Sequence, residues 1–218
     1  MLESSEILKS GAVDKMADLL HSLAGPLAEE IGAIFGDKLR VYRVKNLIST
    51  MRKTERILRE AGLPPNAVPP RLLLPIIETS SVEENETLQE MWAGLLATAS
   101  HESDSVSPSF VETLKQLTPY EARYLERIFD KEANFVGPRT NYLKHVFLNR
   151  IIRSNDMSPE TFERLGLIRR DYKVMLSTAS NEQGVVESVD SDIGHAFIFT
   201  EYAICFLDAC RGPRAKVG

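Results

Sequence analysis

Residues Ser81 to Ser100 read SVEENETLQEMWAGLLATAS. Leu88, Met91, Trp92, Leu95 and Leu96 recur at spacings of three and four, the signature of one buried face of a helix. Glu83, Glu84 and Glu86 place negative charge at its start, where the helix dipole favours it. Ser81 reads as the cap, and Ser81 with Glu84 has the spacing of a capping box. The helix is expected to run to about Ala99. The stretch contains the chain's only tryptophan and no basic residue, whereas Lys38 to Glu60 upstream carries eight Lys or Arg against two Glu. This opposition of charge implies helices built to meet each other or a partner.

Working outward toward the N-terminus, Arg71 to Thr79 reads as a short helix bent at Pro75. It is preceded by LPPNAVPP, whose prolines, with Gly62, end the basic helix. That helix keeps an apolar side through Leu27, Ile31, Ile34, Phe35, Leu39, Tyr42, Leu47, Ile48, Met51 and Leu58. Its first turn takes Pro26, whose missing N–H is harmless there. Gly32 and Gly36 lie four apart, a spacing that permits close helix approach and equally marks a break. Before Gly25, the residues Val13, Met16, Leu19, Leu20 and Leu23 give an amphipathic helix from Gly11 to Leu23.

Toward the C-terminus, Ser100 to Pro108 is polar and reads as a loop, followed by a helix from Phe110 to Leu117. Thr118-Pro119 is a second strong helix start, leading into Tyr120, Tyr124, Leu125, Ile128 and Phe129. Asn141 to Ile152 reads as another helix, and Ser158-Pro159 opens a short one ending at Gly166. LIRRDYKVMLST, GVVESV and AFIFT hold β-compatible residues. A last helix, Glu201 to about Ala209, is closed by Gly212-Pro213. The expected fold is mainly α with a small β component: a helical region over residues 1–116 and a winged-helix-like region over 117–218.

At 218 residues and 43% hydrophobic content the chain can build a real core. Its net charge of −5 disfavours generic binding to nucleic acid or anionic membrane. The two cysteines, Cys205 and Cys210, share the last helix about 140° apart, poor geometry for a mutual disulfide. They read as two buried thiols of a cytoplasmic protein. MLESSEILKS has no apolar core and is not a signal peptide, and no apolar run reaches the length of a membrane span.

No residues assemble into a recognisable catalytic, cofactor or metal motif. His21, His101, His145 and His195 stand apart from one another, and His101-Glu102 with Asp104 reads as a solvated connector. Glu83, Glu84 and Glu86 have the chemistry for acid–base work or Mg²⁺, but carboxylates at a helix start more often complement its dipole. Glu86 and Glu90 lie i to i+4 on a face that repels itself unless something basic sits opposite. Arg40, Arg43, Lys45, Arg52, Lys53, Arg56 and Arg59 supply that charge. Trp92 fits a core position better than a recognition anchor. The candidate recognition helix of a winged helix, SPETFERLG, is short and net acidic. From Leu117 onward acidic and basic residues both number fourteen, so no positive footprint marks DNA binding. Arg169, Arg170 and Lys173 remain possible phosphate contacts in a wing.

The run Ile76 to Ala99, IIETSSVEENETLQEMWAGLLATA, resembles the central signature of the Abi-alpha family of bacterial abortive-infection proteins. Gly25 to Asn46, Leu63 to Pro75, the LGLI element Leu165 to Ile168 and the FLDAC ending Phe206 to Cys210 extend the resemblance over residues 11–210. Phe199 to Phe206, FTEYAICF, departs from the family's usual LT-x-x-G pattern, with Ala203 where a glycine is expected. The resemblance implies a role in limiting phage propagation and brings no catalytic set.

The expected function is therefore non-enzymatic antiphage defence through protein–protein contacts, with Arg40, Arg43, Arg52, Arg56, Glu83, Glu86 and Glu90 as interaction candidates. Self-association as a symmetric dimer is expected, and a host or phage protein is a further possible partner; sequence-specific nucleic acid is not expected. The rival readings are a peripheral membrane effector, supported by the amphipathic Gly11 to Phe35 segment and the basic stretch after it, and a metal-dependent hydrolase.

Overall fold

The computed structural model describes residues 12–25, 40–133, 159–170 and 197–213. They form a mostly helical protein with one small antiparallel strand pair. The elements are α1 (Ala12–Ala24), α2 (Arg40–Glu60), α3 (Pro70–Ser80), α4 (Glu86–His101), α5 (Pro108–Gln116), α6 (Pro119–Ala133), α7 (Pro159–Arg164), β1 (Ile168–Arg170), β2 (Phe197–Phe199) and α8 (Glu201–Arg211). A single 3-10 turn, Ser103–Ser105, joins α4 to α5. The described residues group into two compact units. One runs to Arg123 and resumes at Phe206; the other lies between Tyr124 and Cys205.

In the first unit, α1 buries Leu19, Leu20 and Leu23, and α2 buries Leu47, Ile48, Met51 and Leu58, as their apolar spacing predicts. The expected continuation of α2 back to Pro26, with Gly32 and Gly36, lies outside the described residues. α2 ends where Gly62 adopts φ +69. The Leu63 N–H donates to Leu58 O and the Gly62 N–H to Arg59 O, the bond pair that closes a helix around a left-handed residue. The proline linker after it is clamped onto α4. Ser100 Oγ accepts from the Asn66 N–H at 2.8 Å and donates to Asn66 O at 2.9 Å. The Val68 N–H satisfies the Leu23 carbonyl at the end of α1.

Ser81 does not cap α4. It closes α3 instead: its N–H donates to Ile77 O, and its hydroxyl to Glu78 O at 2.7 Å. At φ −66, ψ −22 its backbone is still helical, whereas an N-cap needs an extended residue. Asn85, at φ −72, ψ 127, is that residue. Its Oδ1 accepts from the Thr87 and Leu88 N–H groups at 3.1 and 3.3 Å.

α4 is the axis of this unit. Every residue from Met91 to Ser100 is buried, so the helix carries no solvent stripe over that length, the pattern of a helix enclosed on all sides. It packs against α2, α3 and α5. Trp92 is 1% exposed, a core residue. On the remaining side α8 comes very close: a Cβ on Gly94 would lie 1.9 Å from Cys210 O, so only glycine admits the contact. Thr98 Oγ1 lies 2.8 Å from Ala209 O, tying the same two backbones together.

α5 begins at Pro108 with Ser107 as its cap, and its Phe110 meets Phe206 edge-on at 5.8 Å. α6 opens with a reciprocal box. Glu121 Oε2 accepts from the Thr118 N–H at 2.8 Å, while Thr118 Oγ1 accepts from the Glu121 N–H at 3.3 Å.

In the second unit, Tyr124 stacks on Phe162 at 6.3 Å and Phe129 meets Phe199 edge-on at 6.5 Å. β1 and β2 pair antiparallel with Ile168 opposite Phe199. The Thr200 N–H extends the pairing to Leu167 O. The helix expected over 141–152 and the GVVESV strand lie outside the described residues. Along α8, Cys210 is buried but Cys205 is exposed. The expectation of two buried thiols fails because the 140° that separates them leaves only one facing the core.

Candidate interaction surface

α2 and α4 share the most extensive helix-to-helix contact among the described residues, and polar groups set its register. Asn46, Thr50 and Thr54 form a buried row at i, i+4 and i+8 on α2. Asn46 Nδ2 donates to Ser81 O at 3.2 Å, and Thr54 Oγ1 donates to Thr50 O at 3.0 Å with Ala93 O 3.4 Å away. Thr50 Oγ1 is buried with no partner among the described residues.

Beside this row lies a closed network centred on Lys53 and Gln89. Lys53 Nζ donates to Ser49 Oγ at 3.1 Å and to Gln89 Oε1 at 2.8 Å, and pairs with Glu86 Oε1 at 3.0 Å. These three acceptors match the three protons of an ammonium group. Ser49 Oγ donates to Gln89 Oε1 at 2.7 Å, and Gln89 Nε2 donates to the Glu83 carbonyl, also at 2.7 Å. One turn on, Arg56 Nη2 meets Glu90 Oε2 at 2.6 Å.

The seven candidates therefore separate. Arg56 and Glu90 meet each other, and Glu86 meets Lys53. Glu83 turns its carboxylate back onto the Asn85 N–H at 2.7 Å. Arg52 is exposed and Arg43 half-buried. For Arg40 only the helical backbone is described. Gln89, Ser49 and Asn46 are seam residues that the charge argument passes over. Their signal is positional: Ser49 and Lys53 lie one turn apart on α2, as Glu86 and Gln89 do on α4, and uncharged residues carry no sign by which to match them.

The outer side of α2 is different. Lys45, Arg52 and Arg59 are exposed. At its N-terminal end Tyr42 is 37% and Val82 45% exposed, and the Tyr42 hydroxyl donates to the Val82 carbonyl at 3.2 Å. His101, Glu102 and Asp104 are solvated. Among the described residues no three His, Cys, Asp or Glu side chains gather where they would hold a metal ion. No helix among them is long and apolar enough to cross a membrane.

No curated protein and no solved structure matches the chain. The family model described as abortive infection alpha matches residues 42–210, from the first turn of α2 to the last turn of α8. By that match, which takes in the whole seam, the chain belongs to the abortive infection alpha family.

Proposed function

We propose that this protein serves abortive infection as a non-enzymatic, cytoplasmic factor that acts through protein–protein contacts. Family membership supports the general antiphage role. One observation carries the mechanism: of the carboxylates that opened a catalytic reading, Glu86 and Glu83 are engaged within the fold and Glu84 stands exposed. Glu86 neutralises Lys53, Glu90 neutralises Arg56, and Glu83 caps the turn before α4. What α2 offers to solvent is a row of cations beside Tyr42 and Val82, the composition of a binding face. The second unit, with α7 and the β1–β2 pair, in which Arg169 is exposed, is read as a winged-helix-like module that also serves protein contacts.

The test is phage protection in cells carrying single variants, read beside thermal melts of the purified proteins. Arg52→Glu is expected to lose protection while melting like wild type. Metal-dependent turnover by the purified protein that is lost on Glu83→Gln or Glu84→Gln would replace this reading with a hydrolase.

A further inference from the structure

The outer row of α2 has a definite geometry. Lys45, Arg52 and Arg59 stand at i, i+7 and i+14 and, among the described residues, form no ion pair. On an α-helix these positions fall within about 40° of one line and extend about 21 Å. Arg56 lies on the same ridge but is held by Glu90. A shortage of carboxylates does not explain the missing counter-charge, because acidic residues outnumber basic ones 31 to 26. The neighbouring Lys53 and Arg56 receive theirs from α4, and this row receives none.

We propose that the row is a docking face for an acidic amphipathic helix of a partner protein. Three carboxylates at heptad spacing meet Lys45, Arg52 and Arg59, and an apolar side chain sits on Tyr42 and Val82. The proposal rests on the protein-contact reading above and names the surface and the chemistry of its partner. A spacing of seven is the repeat at which flanking charges of two side-by-side helices face each other. A uniformly charged polyanion fits poorly. The row is bordered on α2 by exposed Glu55 and Glu60 on a chain of net charge −5, so an extended phosphate surface meets repulsion that discrete carboxylates avoid. Tyr42 and Val82 give the partner an apolar anchor at one end, which fixes its register along the row.

The experiment uses the full chain and two synthetic helical peptides of about 21 residues, long enough to cover the row. Both have one composition. The first places Glu at i, i+7 and i+14 beside a line of Leu; the second reorders the same residues so that the Glu are spread around the helix. Fluorescence anisotropy is expected to show the first binding about tenfold tighter than the second, with affinity falling as salt rises. The double variant Arg52→Glu, Arg59→Glu is expected to lose about tenfold in affinity for the first peptide with an unchanged melting temperature, and the matching pair of Arg→Lys changes to retain most of it. Equal binding of the two peptides, or affinity indifferent to the charge reversal, overturns the proposal. If in that case the reversed variant still loses phage protection at an unchanged melting temperature, the acidic helix is wrong while the wider protein-contact reading stands; if it protects, both fall. Binding to phosphatidylserine vesicles or a short DNA duplex that depends on Arg52 and Arg59, without peptide preference, overturns both. Self-association lost on the same reversal makes a second copy the occupant and overturns the proposal for a foreign helix.

Discussion

Gly94 and Thr50 show how single positions in α4 and α2 bear on stability in opposite ways. Gly94 leaves no room for a methyl group, since its Cβ would fall 1.9 Å from the backbone oxygen of Cys210. Backbone cannot rotate aside as a side chain can, so Gly94→Ala is expected to cost at least about 1–3 kcal/mol, read from urea unfolding. Thr50 is the reverse case: a buried hydroxyl without a partner among the described residues is a desolvation cost with no return. Thr50→Val keeps the shape and removes that cost, so a rise in the urea midpoint is expected; a fall would mean that the hydroxyl has a partner in solution. Trp92→Ala removes a fully enclosed side chain and should cost about 3–5 kcal/mol, out of about 5–15 kcal/mol for a whole native protein. The burial of Trp92 is legible from its spacing to Leu88, Leu95 and Leu96. The demand at Gly94 is not, because a glycine between Ala93 and Leu95 gives no sign that a helix far later in the chain will press against it.

At the level of elements, the opposed charges of α2 and α4 are legible as a pairing, and two pairs realise it: Lys53 with Glu86 and Arg56 with Glu90. Which residue meets which was not legible, because register follows from hydrogen bonds of Ser49, Thr54 and Gln89. The ion pairs and the amide differ in weight. Glu86 is 78% exposed at its side chain and Glu90 36%, so Glu86→Ala and Glu90→Ala should each cost about 0.2–1 kcal/mol and less in high salt. Gln89 is 4% exposed and serves Ser49, Lys53 and the Glu83 carbonyl together. Gln89→Ala leaves all three short of a partner, and about 1–3 kcal/mol should be lost with little salt dependence. A comparison of urea midpoints at low and high salt separates the two behaviours. The start of α4 carries the same lesson about local pattern. Ser81 and Glu84 match the spacing of a capping box, but α3 extends through Ser80 and claims Ser81 for its own end. Asn85 then caps α4, so Asn85→Ala should cost about 1 kcal/mol.

For the whole molecule, the decisive feature is that the last described segment, from Phe206 on, belongs to the same unit as the first. The described residues from Phe206 on join those before Arg123, and they supply one wall of the sheath around α4. Phe206 is fully buried and meets Phe110, Leu207 is 1% exposed, and Ala209 and Cys210 lie against Thr98 and Gly94. Helical periodicity announces α8 as an amphipathic element but not the helix it covers, since period fixes a face and not its partner. The consequence is a test of cooperativity. Losing a buried Phe and a buried Leu costs about 3–5 and 2–5 kcal/mol even when the backbone remains, and their sum reaches the total stability of a typical domain. A chain stopped after Cys205 also strips the wall from Gly94 and Thr98, leaving a side of α4 that has no polar stripe to present to water. That truncated protein is expected to keep much of its helical circular dichroism while losing its cooperative melt and the slow amide exchange of α4. A truncated chain that melts sharply within a few degrees of the full one would show that α4 needs no cover from α8, and that the close approach at Gly94 is a contact the first unit can do without.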